Sequence, residues 1–163
     1  MPEIAELEAF KTYVNKHAIN KKIADVKSPD KSLLKKTSFP NLKKTLLGKK
    51  FSSSKRIGKY LIIAISGTDN KIVMHFGLTG SLAYKKHPDE KVKYAKVIFI
   101  FSDGSALHWT NRRKFGSLWL IKDLNKIPAL RDIGPDPLKL TPAQFKKLSQ
   151  EHSGKNIKSF FMN

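Results

Sequence analysis

Short apolar runs, each closed by a cluster of turn-forming residues, recur through the middle of the chain and restrict the folds open to it. Tyr60-Leu61-Ile62-Ile63-Ala64-Ile65 and Ile72-Val73-Met74-His75-Phe76 flank Ser66-Gly67-Thr68-Asp69-Asn70. Val97 to Phe101 and Ala106-Leu107-His108-Trp109 flank Ser102-Asp103-Gly104, and Ser117 to Ile121 follows. Runs of this length suit strands, and connections this tight leave no room for the helical crossover that parallel neighbours need. The pattern predicts an α+β, mainly β fold, an antiparallel β-sandwich.

Ahead of the strands, Ile4, Leu7, Phe10 and Val14 share one helical stripe, which predicts a helix over 2–18 packed on the sandwich, with Pro2 at its start. Lys22 to Lys27 reads as a short strand, and Asn41 to Leu47 as a short helix stopped by Gly48. Beyond the strands, Thr141-Pro142 is an N-cap followed by proline at the first helical position, opening an amphipathic stretch through Ala143, Phe145 and Leu148. Ser153 to Asn163 begins another apolar segment, with Ile157, Phe160, Phe161 and Met162. The expected organisation is a sandwich domain over 1–135, then a linker and the first helices of a truncated helical domain over 136–163.

The longest apolar run, Tyr60 to Ile65, is far too short to span a bilayer, so no membrane role is expected. Glu3, Glu6 and Glu8 have the wrong chemistry for a signal or transit peptide, which points to the cytoplasm or nucleoid. The chain has no cysteine, and its five histidines show no ligand spacing, so no metal is expected in it. Against 13 acidic residues stand 32 Lys and Arg, a net charge of +19. The basic pairs are spread from Lys21-Lys22 to Lys146-Lys147, which suits a folded protein presenting a broad positive face to a polyanion.

Three of the thirteen acidic side chains fall within the first eight residues. On a helix, Glu3 lies at the edge of the apolar stripe, Glu6 just beyond it on the same side, and Glu8 faces away. Two readings are open: a half-buried carboxylate that donates a proton, or acidic residues complementing the helix dipole. Pro2 adds a further possibility if Met1 is removed, for it then carries a terminal secondary amine able to attack an aldehydic sugar carbon. An ordinary terminal amine, with a pKa of ~7.7 to 8.0 against ~10.4 for lysine, is far more often free base near neutrality. With Met1 attached the same nitrogen is an amide and cannot attack.

Five motifs carry a resemblance. Met1-Pro2-Glu3-Ile4-Ala5-Glu6-Leu7-Glu8 resembles the opening M-P-E-L-P-E-V-E of formamidopyrimidine-DNA glycosylases, which are related to endonuclease VIII. Arg56-Ile57-Gly58-Lys59-Tyr60-Leu61 is similar to their R-R-G-K-Y-L, and His75-Phe76-Gly77-Leu78-Thr79-Gly80 to H-L-G-M-T-G. Asn111-Arg112-Arg113-Lys114-Phe115-Gly116 looks like D-P-R-R-F-G, and Ile133-Gly134-Pro135-Asp136-Pro137-Leu138 like L-G-P-D-P-L. The motifs stand in the family's order and cover essentially the whole chain.

The resemblance implies base-excision repair by a bifunctional DNA glycosylase and AP lyase. Such an enzyme removes oxidised bases of the formamidopyrimidine and 8-oxoguanine type through a Schiff base, followed by β-elimination. Pro2 would be the nucleophile at C1′, Glu3 the general acid, Glu6 a hydrogen-bonding support, and Lys59 a phosphate contact and proton donor in the elimination. The family extrudes the damaged nucleotide and fills the gap with a Met, an Arg and a Phe, positions that fall on Leu78, Arg113 and Phe115. Extrusion costs a few kcal/mol of stacking and pairing, which apolar wedges and one hydrogen-bonding cation offset. Tyr94 stands near a DNA contact that is often His, and Lys155 near a phosphate contact in the linker.

The implied partner is double-stranded DNA with damaged bases or abasic sites, bound by a monomer. The family continues through a helix-two-turn-helix domain and usually a four-cysteine zinc finger bearing another catalytic arginine. Neither lies in this sequence, so no cofactor is expected in this chain. Three departures stand out: Ala5 replaces a proline, Leu78 a methionine, and Asn111 an aspartate whose charge would orient Arg113. The alternative is a non-catalytic DNA-binding module lacking its C-terminal clamp.

Overall fold

In the computed structural model, which describes residues 2–162, helix α1 spans Ile4–His17 and is N-capped by Glu3. Pro2 therefore precedes the cap and does not begin the helix. The reason is local: Glu3 has an extended backbone, and the Glu6 carboxylate accepts its N–H at 3.0 Å, satisfying a donor outside the helical ladder. Whether Met1 is retained lies outside the described residues.

The chain divides into two compact units, residues 1–123 and 124–163. In the first, nine strands follow α1: β1 (Ile23–Lys27), β2 (Leu34–Lys35), β3 (Phe51–Ile57), β4 (Tyr60–Ile65), β5 (Lys71–His75), β6 (Gly80–Lys85), β7 (Ala95–Phe101), β8 (Ala106–Asn111) and β9 (Ser117–Ile121). A short helix α2 (Phe39–Leu46) lies between β2 and β3, capped by the Ser38 hydroxyl, which accepts the Asn41 N–H at 3.3 Å. The strands form a four-stranded sheet, β1-β7-β8-β6, and a five-stranded sheet, β2-β9-β5-β4-β3. Every pairing is antiparallel except that of the two-residue β2 with β9. The fold is thus α+β, mainly β, as the turn-punctuated runs predict.

Alternation places Phe99, Phe101, Leu107 and Trp109 of one sheet against Leu61, Ile63, Ile72, Met74 and Leu118 of the other in one continuous core. Burying each such side chain contributes about 1.5–3 kcal/mol, so the core outweighs any single surface contact discussed below. Helix α1 inserts Leu7 and Val14 into this core and packs on β3 and β4 of one sheet and β6 of the other. It therefore spans both layers, and residues at its N-terminus are held relative to loops from both sheets. The strands β3 and β6 carry no apolar run to announce them. Both are edge strands, which need only one covered face, and β3 shows solvent Ser52, Ser53 and Lys55.

The second unit holds α3 (Pro128–Arg131), α4 (Pro142–Glu151) and α5 (Ile157–Met162). Helix α4 opens with the expected cap: Thr141 and Gln144 form a reciprocal capping box with Pro142 at the first turn. Phe145 and Phe160 meet edge to face with centroids 5.9 Å apart. No helix among the described residues is long and apolar enough to cross a membrane.

Candidate functional site

The N-terminus of α1 gathers four of the residues singled out from sequence. Pro2 is half-buried, next to the N-cap Glu3. The Glu3 carboxylate projects outward and takes an ion pair at 2.7 Å from Lys59 Nζ, both side chains being substantially exposed. Glu6 lies one turn on, hydrogen-bonded from its own backbone N–H and that of Glu3, which holds its carboxyl below the usual carboxylate range. Glu6 is therefore an anion at neutral pH that fixes the Glu3 backbone, and the Glu3 side chain caps the Glu6 N–H in return while also meeting Lys59.

Lys59 owes its place to a tight turn. Strands β3 and β4 are joined by Gly58 and Lys59 alone, with Ile57 paired to Tyr60. Gly58 has φ +52°, the left-handed backbone that a two-residue hairpin of this kind requires at its first position. The turn is anchored from below by Arg56, whose side chain is only 2% exposed. Its Nε donates to Glu8 Oε1 at 2.7 Å and its Nη1 to the Gly58 carbonyl at 3.1 Å. Glu8, expected to face away from the apolar stripe, pairs with Arg56 and with Lys11, and these two contacts, Lys11 first, lower its pKa. Helical spacing places Glu8 off the apolar stripe, but β3 packs against α1 and brings Arg56 to meet it.

A second group sits on two loops that touch. The β5–β6 loop carries Gly77, Leu78 and Thr79, and the β8–β9 loop carries Arg112 to Gly116. A β-carbon on Gly77, which has φ +60°, would lie 2.4 Å from the Phe115 carbonyl carbon, so the backbones are in direct contact there. The Arg113 N–H donates to Thr79 Oγ1 at 3.0 Å, and Asn111 Nδ2 to the Phe76 carbonyl at 2.9 Å. Asn111 is wholly buried and its amide ties the two loops together, a use that explains an asparagine here without reference to the Arg113 side chain.

Leu78 and Phe115 are exposed, Phe115 by 58%, although neither is polar. Phe115 is thus no core aromatic. The Arg113 guanidinium lies over its ring at 5.4 Å, leaving a cation and two apolar side chains on the same pair of loops. Tyr94, 52% exposed and at φ +62°, joins them: its carbonyl accepts the Asn111 N–H at 3.0 Å and its ring lies 5.8 Å from the Arg112 guanidinium.

His75 links the two groups. Its Nδ1 accepts the Gly77 N–H at 3.3 Å, its ring lies 5.0 Å from that of Tyr60, and burial together with the nearby Lys59 charge pushes its pKa down. An uncharged imidazole accepting a backbone N–H serves the loop's shape. Lys155 is in the second unit, exposed on the connection between α4 and α5, with its N–H on the His152 carbonyl at 2.9 Å. Among the described residues no group of three or more His, Asp or Glu is arranged to hold a metal ion.

Among the polar clusters missed from sequence are Arg56 with Glu8, Asp30 with Lys96 and Lys114, and Lys21 with Asp103. Lone charged residues carry no local signal of such partners.

Residues 1–118 match the model of the formamidopyrimidine-DNA glycosylase N-terminal domain. The formamidopyrimidine-DNA glycosylase of Bacillus cereus is 30% identical over 161 residues, 95% of this chain and 57% of that protein. That of Pelobacter propionicus is 32% identical over 141 residues, 85% of this chain and 51% of the relative. The chain thus spans little more than half the length of these curated relatives. Among solved structures, the Lactococcus lactis glycosylase non-covalently bound to DNA containing an AP site superposes with a TM-score of 0.84 at 26% identity, covering 99% of this chain and 62% of that one. A complex of the inhibited Lactococcus lactis enzyme with DNA containing N7-benzyl-Fapy-dG gives 0.83, also at 26% identity. The matched model, the shared fold and the motifs at α1, the β3–β4 turn and the two adjoining loops agree: this chain belongs to the formamidopyrimidine-DNA glycosylase family, whose N-terminal domain it contains.

Proposed function

We propose that this chain carries the chemical half of a base-excision DNA glycosylase and AP lyase, acting on oxidised bases and abasic sites in double-stranded DNA. The observation that carries the reading is the ion pair of Glu3 and Lys59 at 2.7 Å beside Pro2. In a +19 chain, an acid at the open end of a helix, paired with a turn lysine, is suited to proton transfer near a phosphate. The solved relatives bound to AP-site DNA and to Fapy-dG DNA support the substrate class. A DNA partner also supports a location at the nucleoid.

With Met1 removed, the Pro2 nitrogen attacks C1′, forming an N–C1′ bond as the bond to the base, or to the C1′ hydroxyl of an abasic site, breaks, and the leaving group takes up the proton that the amine gives up. Glu3 supplies the proton that the opening sugar oxygen takes up, leaving an iminium. The Glu3 carboxylate so formed takes up a C2′ proton as the 3′ phosphate is expelled, and Lys59, at the phosphate, is the proton donor for that departure. Glu6 keeps the cap rigid throughout. Leu78, Arg113 and Phe115 occupy the gap left by the extruded nucleotide, with Arg113 hydrogen-bonding the orphaned base. Tyr94 is assigned to a DNA contact and Lys155 to a phosphate.

Borohydride trapping on an abasic-site duplex tests this. A chain shown by mass to begin at Pro2 should yield a covalent adduct, and a chain retaining Met1, whose Pro2 nitrogen is an amide, should yield none. No adduct from the processed chain, with DNA binding intact, would leave a non-catalytic DNA-binding module.

A further inference from the structure

We infer that Asp30 is a positioning residue for the loop bearing Arg113 and Phe115, and that this anchorage sharpens the choice of abasic-site over intact duplex DNA. The inference rests on the proposed function of those loop residues. Asp30 lies between β1 and β2, where its Oδ1 accepts the Ser32 N–H at 3.1 Å and caps a single turn of 3-10 helix at Lys31–Leu33. Its Oδ2 accepts from two lysines that are distant in sequence, Lys96 Nζ at 2.9 Å and Lys114 Nζ at 3.0 Å.

The two lysines differ in kind. The Lys96 side chain is 8% exposed and, with the Ser32 N–H, immobilises the carboxylate. Lys114 is 58% exposed and sits between Arg113 and Phe115 with φ +57°. That left-handed backbone is unfavourable for a residue with a β-carbon, and lysine has no short side chain to hydrogen-bond it locally, as Asn does. A contact from outside the loop offsets that cost. A fixed carboxylate does so at less entropic cost than a free one, because only one of the two partners is ordered by the contact. Hydrogen bonds from Ser32, Lys96 and Lys114 keep the Asp30 carboxyl far below the usual range, so the anchor is charged at any physiological pH.

The backbone reversal at Lys114 sets the geometry of its neighbours, the Arg113 guanidinium 5.4 Å from the Phe115 ring. A carboxylate beside a face that meets phosphates opposes DNA binding as a charge. Its use is then in shape: a preorganised wedge favours the duplex whose gap it fits, and gains nothing on intact duplex.

The test measures anisotropy of labelled duplexes, one with a tetrahydrofuran abasic site and one intact, against the full 163-residue chain and two variants, D30N and K114Q. Both should lower the ratio of abasic to intact affinity by roughly three- to tenfold, and the double variant should be no worse than either. D30N adds a unit of positive charge and K114Q removes one, so an electrostatic effect alone would move overall affinity in opposite directions and leave the ratio unchanged. K114Q also keeps the Asp30–Lys96 pair, which separates loop anchorage from loss of folding in D30N. Wild-type ratios in folded K114Q would overturn the inference. A wild-type chain that itself shows no preference would overturn the proposed function, and the inference with it.

Discussion

Arg56 on β3 donates to Glu8 on α1 across 48 positions of sequence, at 2.7 Å, with the guanidinium almost wholly buried. The pair couples the helix that presents Pro2 and Glu3 to the hairpin that presents Lys59. Glu8→Gln would leave a buried cation with a neutral partner. It should cost about 1–3 kcal/mol, less than for a fully enclosed pair because Glu8 remains about a third exposed. Urea unfolding should register the loss, and borohydride trapping of the processed chain should slow as Lys59 is released.

Gly77→Ala places a methyl group against the Phe115 carbonyl and a side chain at positive φ. Neither backbone yields cheaply, so destabilisation of about 1–3 kcal/mol is expected. Intrinsic fluorescence should follow the displacement, since a β-carbon at the adjoining Gly116 would lie 2.9 Å from the Trp109 ring.

Phe115→Ala should behave in the opposite way. The side chain is 58% exposed, so stability should change by no more than about 0.5 kcal/mol. Affinity for abasic-site duplex should fall roughly tenfold or more, as for a lost aromatic stacking partner. A variant that unfolds, or binds abasic DNA as tightly as wild type, would show the ring to be structural or idle.

Acid should expose the cluster at the far end of β7 and β8. Asp103 accepts from Lys21 at 2.6 Å and from Ser105, and these contacts bring its pKa down to about 2. A depressed carboxylate stabilises the fold above its unfolded pKa of ~3.9, and that contribution fades as pH falls from there through the folded value. Asp103 is half exposed, so screening keeps the contribution under about 1 kcal/mol. The urea midpoints of wild type and Asp103→Asn should differ at pH 6 and converge as pH approaches 2.

Much of the fold was legible because local patterns report local burial. The runs at Tyr60 to Ile65 and Ile72 to Phe76 are buried almost throughout, and a chain need not be folded for such apolar runs to be read. The edge strands β3 and β6 escaped because a strand with one open edge can be polar and still pair. The helix start slipped by two residues, since a proline before an acidic cap looks like a proline at the first turn.

The candidate residues were likewise legible one at a time, from motifs. Their supports were not. Asn111 reads as a lost charge in sequence, yet in the fold it is a buried strut between two loops. Asp30, Lys96 and Lys114 are three ordinary charged residues until the sheets bring them within 3.0 Å.

Sequence alone determined the kind of layers this chain builds, the sign of its surface charge and the family to which its motifs point. Tertiary structure decided which loops touch, which carboxylates are held by distant cations and which aromatic stays in solvent. The division has a physical cause. Hydrophobic burial is proportional to area and indifferent to direction, so it leaves a periodic trace along the chain. A hydrogen bond or ion pair depends on ångström distances between residues tens of positions apart, and those distances exist only once the sheets are in register.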